Sequence, residues 1–117
     1  MHNENYYLIH DPGHGWLKVP MQDLADLGLA NKISCCSYVK GNYAYLEEDC
    51  DMAVFLAAFI QEHGYKPRYV SRYIDDPYSK DNPRNFKSYP MSEKYDDQAW
   101  KQASIFLSDW LAKEKQA

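Results

Sequence analysis

Residues 47–64 read EEDCDMAVFLAAFIQEHG, and this stretch determines how the rest of the chain is interpreted. Its large apolar residues recur at the spacing of one face of an α-helix, at Met52, Phe55, Leu56, Phe59 and Ile60. Acidic residues crowd its start, where the helix dipole favours negative charge, and Gly64 follows its last turn as a helix-ending residue. Because small apolar residues occupy much of the remaining surface, the stretch predicts the central helix of the core.

Length and composition indicate one globular domain spanning residues 1–117. Hydrophobic residues make up 45% of the chain, which is enough for a packed core. The longest apolar run, residues 52–60, is too short to cross a bilayer, and the N-terminal residues lack the pattern of a secretory signal. Three cysteines, Cys35, Cys36 and Cys50, cannot all pair within one chain. We therefore expect reduced thiols in a cytoplasmic protein that has no membrane partner.

The net charge of −4 is unevenly distributed along the chain. Residues 1–62 contain nine acids and three bases, whereas residues 63–117 contain eight acids and ten bases. Halves of opposite sign can meet partners of opposite charge, including a second copy of the chain. The acidic balance disfavours nucleic-acid binding across a broad basic face. Eleven tyrosines suit both β-strands and contact surfaces.

Turn chemistry predicts two β-hairpins. In the first, residues 6–10 and 16–19 flank the turn sequence DPGHG, and in the second, residues 37–40 and 43–46 flank the pair Gly41-Asn42. Residues 68–74 alternate like a strand and are predicted to join the same antiparallel sheet. The proline-rich residues 75–91 form the least regular segment.

Two further helices complete the predicted architecture. A short helix has Pro20 at its first position and is closed by Gly28, and a last helix runs from Glu93 to Lys113 with Ser92 as its cap. The predicted buried stripe of the last helix is Trp100, Ala103, Leu107, Trp110 and Leu111. The fold class is therefore α+β, a small antiparallel sheet of two hairpins and a later strand packed against two main helices and one short helix.

Two imidazoles and one carboxylate lie close together in the sequence HDPGH, at His10, Asp11 and His14. These groups can bind a metal or transfer protons, so a small metal-dependent hydrolase is one interpretation. Their spacing crosses a Pro-Gly turn and matches no helical metal motif. The alternative interpretation is a hairpin loop with two solvent-facing histidines, and we expect no cofactor and no metal. A zinc site that includes the cysteines would lack a CxxC pair.

A compact patch of tyrosines and acids is the candidate partner-binding site, at Tyr43, Tyr45, Glu47, Glu48 and Asp49. Tyrosine rings offer a large contact area, and carboxylates can meet a basic surface on a partner. The same acids also suit the start of the helix that follows them. The segment 75–91 is a second candidate contact surface.

Three runs, HDPGHGWLKVP, LADLGLANKIS and SYVKGNYAYLEEDCDM, resemble a group of small accessory proteins of bacterial phages and plasmids. The resemblance covers residues 8–60 and transfers no catalytic residue. It implies a cytosolic accessory protein of a mobile element. Proteins of that kind often act by binding a host protein, and anti-defence inhibitors are one such class.

The resulting expectation is a non-enzymatic protein-binding module, with inhibition of a host defence complex of the anti-CRISPR or anti-restriction type as its role. Two alternatives stay open at this point. One is a metal-dependent hydrolase that uses the HDPGH loop, and the other is a homodimeric structural protein whose oppositely charged halves associate.

Overall fold

The computed structural model describes residues 6–116. Within this range the elements follow in the order β1 (Tyr6–His10), β2 (Gly15–Pro20), α1 (Met21–Asp26), β3 (Tyr38–Lys40), β4 (Tyr43–Glu47), α2 (Asp51–His63), β5 (Tyr69–Tyr73), a 3-10 turn (Pro83–Asn85), β6 (Lys87–Ser88) and α3 (Ala99–Gln116).

The strands form one sheet in the order β5-β1-β2-β4-β3-β6. Both predicted hairpins are present, as the antiparallel pairs β1–β2 and β3–β4. The α+β class is confirmed, with two main helices and one short helix. The sheet is mixed rather than wholly antiparallel, because α2 carries the chain back across the sheet and β5 then runs parallel to β1.

Most of the stretch EEDCDMAVFLAAFIQEHG forms α2 (Asp51–His63), which is the central helix of the core. It packs against β4 and against α3, and its buried residues are Asp51, Met52, Val54, Phe55, Ala57, Phe59 and Ile60. Gly64 ends the helix at a φ of 82°, in the left-handed region that glycine adopts without a steric penalty. The helical periodicity of the sequence was therefore sufficient to locate the core.

A buried carboxylate holds the start of α2 against the preceding loop. Asp51 is fully buried and accepts hydrogen bonds from the hydroxyls of Ser34 and Ser37, at 2.8 and 2.6 Å. The backbone N–H of Ser34 also donates to this carboxylate, at 3.1 Å. The Ser37 hydroxyl in turn accepts the N–H of Glu47. One side chain thus joins the loop at residues 34–37, the end of β4 and the first turn of α2.

The last helix begins later than its sequence predicts. The hydroxyl of Ser92 accepts a hydrogen bond from the N–H of Lys94 and closes a local turn instead of capping a helix. The carboxylate of Asp96 accepts the N–H of Gln98, and α3 starts at Ala99. Short polar side chains that bond to the nearby backbone compete with helix formation in this way.

The predicted buried stripe of this helix is wrong at two of its five positions. Ala103 is buried and Leu107 and Trp110 are half-buried, whereas Trp100 and Leu111 are exposed. The cause is the contact surface of α3, which reaches the core through Ala99 and Ala103 and the partly buried Phe106 and Leu107. No helix within residues 6–116 has the length and apolar character needed to cross a membrane.

We expect Asp51→Ala to lower the free energy of unfolding by about 3 kcal/mol, because it leaves the buried donors of Ser34 and Ser37 without their acceptor. Urea denaturation followed by circular dichroism measures the loss. The exposed Asp49 provides the control, and Asp49→Ala should change the same quantity by less than about 0.5 kcal/mol. Equal losses for the two variants would show that the Asp51 network does not stabilise the fold.

Candidate functional site

One face of the sheet is turned away from the main helical core, and we call it the open face. Strand alternation and the pairing registers place a mixed set of aromatic and charged side chains on it: Tyr7, Ile9, Trp16, Lys18, Tyr38, Lys40, Tyr43, Tyr45, Glu47, Val70 and Arg72. Ile9, Trp16 and Tyr45 are buried and form a small second core with Tyr38, Ile74 and Phe86. The open face therefore has a packed base beneath its exposed groups.

A cavity of about 660 Å³ lies on the open face. Ile9, Lys18, Tyr45 and Arg72 line it from the sheet, and Lys40 lines it from the end of β3. Tyr73 lines it from the end of β5, and the segment after β5 contributes Ile74, Ser79, Asp81 and Phe86. Cavities that hold small ligands have volumes of about 300–1,000 Å³, so this one is large enough to receive a side chain or a short peptide segment.

Three cations around the cavity have no carboxylate partner. Within residues 6–116, Lys18, Lys40 and Arg72 form no ion pair. Each lies instead over an aromatic ring, Lys18 at 4.3 Å from the ring centre of Tyr43, Lys40 at 4.8 Å from that of Phe86, and Arg72 at 4.9 Å from that of Tyr7. Ring contacts attract a cation without neutralising it. The cavity therefore presents positive charge, against which Asp81 is its one carboxylate.

The segment that closes the cavity is held by Asp11. The carboxylate of Asp11 accepts hydrogen bonds from Nε and Nη2 of Arg84 and from Nδ2 of Asn82. The backbone N–H groups of Gly13 and His14 donate to it as well, each at 2.9 Å. The guanidinium of Arg84, together with these donors, holds the pKa of Asp11 well below its usual range although burial opposes the shift. All of these bonds connect Asp11 to other parts of the fold, so its role is structural.

The structure distributes the predicted tyrosine and acid patch along β4 and the turn after it. Tyr43 and Glu47 lie on the open face, and Tyr43 is exposed. Tyr45 lies on the same face but is only 6% exposed, because Phe86 packs over it with ring centres 4.8 Å apart. Glu48 and Asp49 are exposed in the turn that follows. Burial raises the pKa of Glu47 above its ordinary value.

The structure does not bring His10, Asp11 and His14 together as one reacting group. His10 lies on the helix-covered face, with its ring 5.4 Å from that of Tyr73. Asp11 is engaged by Arg84, and His14 is exposed. A different set of possible metal ligands lies close together, because the turn after β4 contacts the DPGHG loop. Nδ1 of His14 lies 3.7 Å from Oε1 of Glu47, and these two residues and Asp49 offer ligand atoms within 4.8 Å of one another.

The thiol of Cys50 is not activated as a nucleophile. Burial, followed by the charge of Asp51, raises the pKa of Cys50 to about 11, so this thiol is protonated at neutral pH. Cys35 and Cys36 are exposed and unpaired. Within residues 6–116, the metal-ligand cluster that the geometry forms contains no cysteine.

Sequence reasoning missed the cations of the cavity and Phe86. The signal for Lys18 and Arg72 was available, since both alternate with residues assigned to the core face of their strands. The sequence gives no signal that these cations converge on one cavity, because their convergence depends on the order of strands in the sheet. Phe86 could not be found from its own segment, since that segment is held by contacts distant in sequence, namely the bond of Arg84 to Asp11 and the pairing of β6 with β3.

Comparison of the chain with protein-family models, with curated proteins and with solved structures gives no match.

We expect Asp11→Asn to lower the free energy of unfolding at pH 7 by about 2 kcal/mol, because the buried charge partner of Arg84 is lost. The native pKa of Asp11 is lowered, so its contribution is complete above about pH 4, its value when unfolded, and is lost as the pH falls toward the native pKa. The difference between the two proteins should therefore shrink below about pH 4.

Thermal and urea denaturation between neutral and acid pH measure this difference. Asp109→Asn, at an exposed position of α3, is the matched control and should show neither effect. A difference between Asp11→Asn and the unmodified chain that stays constant down to the most acid pH tested would contradict the ionic role of Asp11.

Proposed function

We propose that this protein is a non-enzymatic binding module that captures a charged segment of a protein partner on the open face of its sheet. The observation that supports this proposal is the set of three unpaired cations, Lys18, Lys40 and Arg72, around one cavity. A carboxylate inserted there would replace ring contacts with charge-assisted hydrogen bonds, which are about twice as strong as neutral ones.

The open face also has an acidic end and a basic end, and the charges of a partner segment would have to match both. Its acidic end is formed by Glu47 with Glu48 and Asp49 beside it, and its basic end surrounds the cavity. A complementary segment carries acidic residues over the cavity and basic residues over the turn after β4. Such charge complementarity selects partners and sets the orientation in which they bind.

A protein segment suits this face better than a single-stranded nucleic acid. Nucleic-acid platforms stack bases on free aromatic faces. Here Tyr45 is buried beneath Phe86, and the rings of Tyr43 and Tyr7 are already covered by Lys18 and Arg72.

The resemblance to accessory proteins of phages and plasmids suggests the biological setting. In that setting the bound protein would belong to a host defence complex of the CRISPR or restriction type, in the bacterial cytoplasm, and the module would act by occupying a surface that the complex needs. Support for this role is the resemblance alone, whereas support for the binding surface is the geometry of the open face.

Charge reversal at the cavity tests the proposal, with Lys18→Glu and Lys40→Glu combined in one variant. The control is Lys101→Glu with Lys113→Glu, which changes the net charge equally at exposed positions of α3. Fluorescence anisotropy is measured with a labelled peptide that carries a glutamate block followed by a lysine block. We expect the cavity variant to weaken binding by at least about tenfold and the control to leave it unchanged.

Two further probes complete this experiment. A glycine-serine peptide of the same length should not bind, and a labelled oligothymidylate should bind more weakly than the charged peptide. Equal weakening by both variants, or no binding of the charged peptide to the unmodified chain, would refute the proposed surface. Tighter binding of the oligonucleotide would replace the protein partner with a single-stranded nucleic acid.

A metal-dependent hydrolase is the second candidate function, and the convergence of His14, Glu47 and Asp49 favours it. One imidazole and two carboxylates are a donor set that zinc accepts. The two other members of the predicted group do not contribute, since His10 lies on the opposite face and Asp11 is bonded to Arg84.

We expect that any zinc binding measured by isothermal titration calorimetry will be lost in His14→Ala and kept in His10→Ala. The two substitutions remove the same group, and only His14 belongs to the cluster. Failure of the unmodified chain to bind zinc would eliminate this candidate. Zinc binding without turnover of p-nitrophenyl esters would identify the cluster as a metal-binding site without hydrolase activity.

A further inference from the structure

The two edges of the sheet differ in how well they are protected. Strand β6 forms one edge with two residues, Lys87 and Ser88, and a short edge bearing lysine resists further pairing. Strand β5 forms the other edge with five residues, every one of which is exposed. Three of its side chains are large and apolar, namely Tyr69, Val70 and Tyr73. A long and apolar edge is a site for strand addition.

Within the described part of the chain, the backbone groups that β5 turns away from β1 have no hydrogen-bond partner. The C=O of Arg68 accepts from Tyr6, and the N–H of Ile74 donates to His10, so the even-numbered residues of β5 face β1. Because backbone groups alternate along a strand, those of Tyr69, Ser71 and Tyr73 point away from the sheet. Pro67 is the next residue whose backbone points away from the sheet. Its missing N–H therefore removes no hydrogen bond to β1.

We propose that a second copy of this chain occupies the edge, with the two β5 strands antiparallel about a two-fold axis at Ser71. The sequence YVSRY has Ser71 at its centre and a tyrosine at each end. In this register Ser71 lies opposite its own copy, and Tyr69 lies opposite the second copy's Tyr73. Both are hydrogen-bonded pairs, so the outward groups of one strand meet those of the other. The proposal is independent of the function proposed for the open face.

Charge selects this register over its neighbours. An axis at Val70 would place Arg72 opposite the second copy's Arg68, and an axis at Arg72 would oppose two copies of Arg72. Like charges directly opposite each other destabilise a strand pair. With the axis at Ser71, Arg72 lies opposite the second copy's Val70, which is apolar.

The sequence around β5 adds charge complementarity at both ends of the pair. The strand is preceded by Lys66 and Arg68 and followed by Asp75 and Asp76. All four are exposed, and none forms an ion pair within residues 6–116. An antiparallel arrangement places Lys66 opposite the second copy's Asp76 and Arg68 diagonal to it, twice by symmetry. A parallel arrangement would set like charges side by side.

The resulting dimer has one continuous sheet with both open faces on the same side, since the two-fold axis of such a pair runs perpendicular to the sheet. Two copies of the cation-lined cavity would then face one partner surface. A bivalent surface binds a repeated or dimeric partner more tightly than either site alone.

Light scattering coupled to size exclusion tests the proposal with two charge-swap variants, Lys66→Glu with Arg68→Glu, and Asp75→Lys with Asp76→Lys. The unmodified chain should elute as a dimer of twice 13.7 kDa. Each variant alone should be monomeric, because all four charges at its edge then have one sign. The equimolar mixture should recover the dimer, because acidic edges then meet basic ones.

The recovered dimer excludes misfolding as the reason for the monomers, and the exposed α3 variant Lys101→Glu with Lys113→Glu controls for net charge. A monomeric unmodified chain at high micromolar concentration would overturn the proposal. A dimer that survives in both variants would also overturn it, since association would then use another surface. A mixture that stays monomeric would equally refute the Ser71 register.

Discussion

The pairing of Asp11 with Arg84 is the interaction on which the open face depends. It joins the turn after β1 to a segment 73 residues further along the chain. Burying a carboxylate is costly unless its oxygens are satisfied, and here a guanidinium, an amide and two backbone N–H groups satisfy them. Because Phe86 follows Arg84 by two residues, the same contact places Phe86 over Tyr45 and completes the cavity.

That pairing also explains how an acidic protein presents a basic cavity. Arg84 is neutralised by Asp11, and its guanidinium lies over the ring of Trp16. Among the residues that the structure describes, Lys18, Lys40 and Arg72 have no such partner. Since exposed charges are screened within about 10 Å at moderate salt, a ligand at the cavity responds to the local cations more than to the net charge.

Local chemistry was enough to predict the hairpins and the core helix. Gly41-Asn42 and the DPGHG turn specify their own hairpins, and the helical period of residues 51–63 needs no information from elsewhere. What could not be predicted depends on contacts distant in sequence: the parallel pairing of β5, the burial of Tyr45, and the convergence of His14 with Glu47. The late start of α3 has a local cause, because the side chains of Ser92 and Asp96 bond to the nearby backbone. Of the predicted contact patch, Tyr43, Glu48 and Asp49 are exposed, whereas Tyr45 is covered by a segment whose path no local pattern indicates.

The exposure of β5 follows from the same architecture. α2 buries its apolar side against the middle of the sheet, and neither face of β5 is covered. The strand is held by its hydrogen bonds to β1 and by the contact of Arg72 with Tyr7. Burial of apolar area contributes about 25 cal/mol per Å², so a strand with three exposed apolar side chains forgoes much of the stabilisation that the other strands gain.

Pairing with a second copy would supply that burial without moving the helices, and it would leave the open face free. The open face and the apolar edge at β5 can therefore belong to one sheet. The segment that Asp11 holds shapes the open face, whereas β5 stays exposed because α2 does not extend over it.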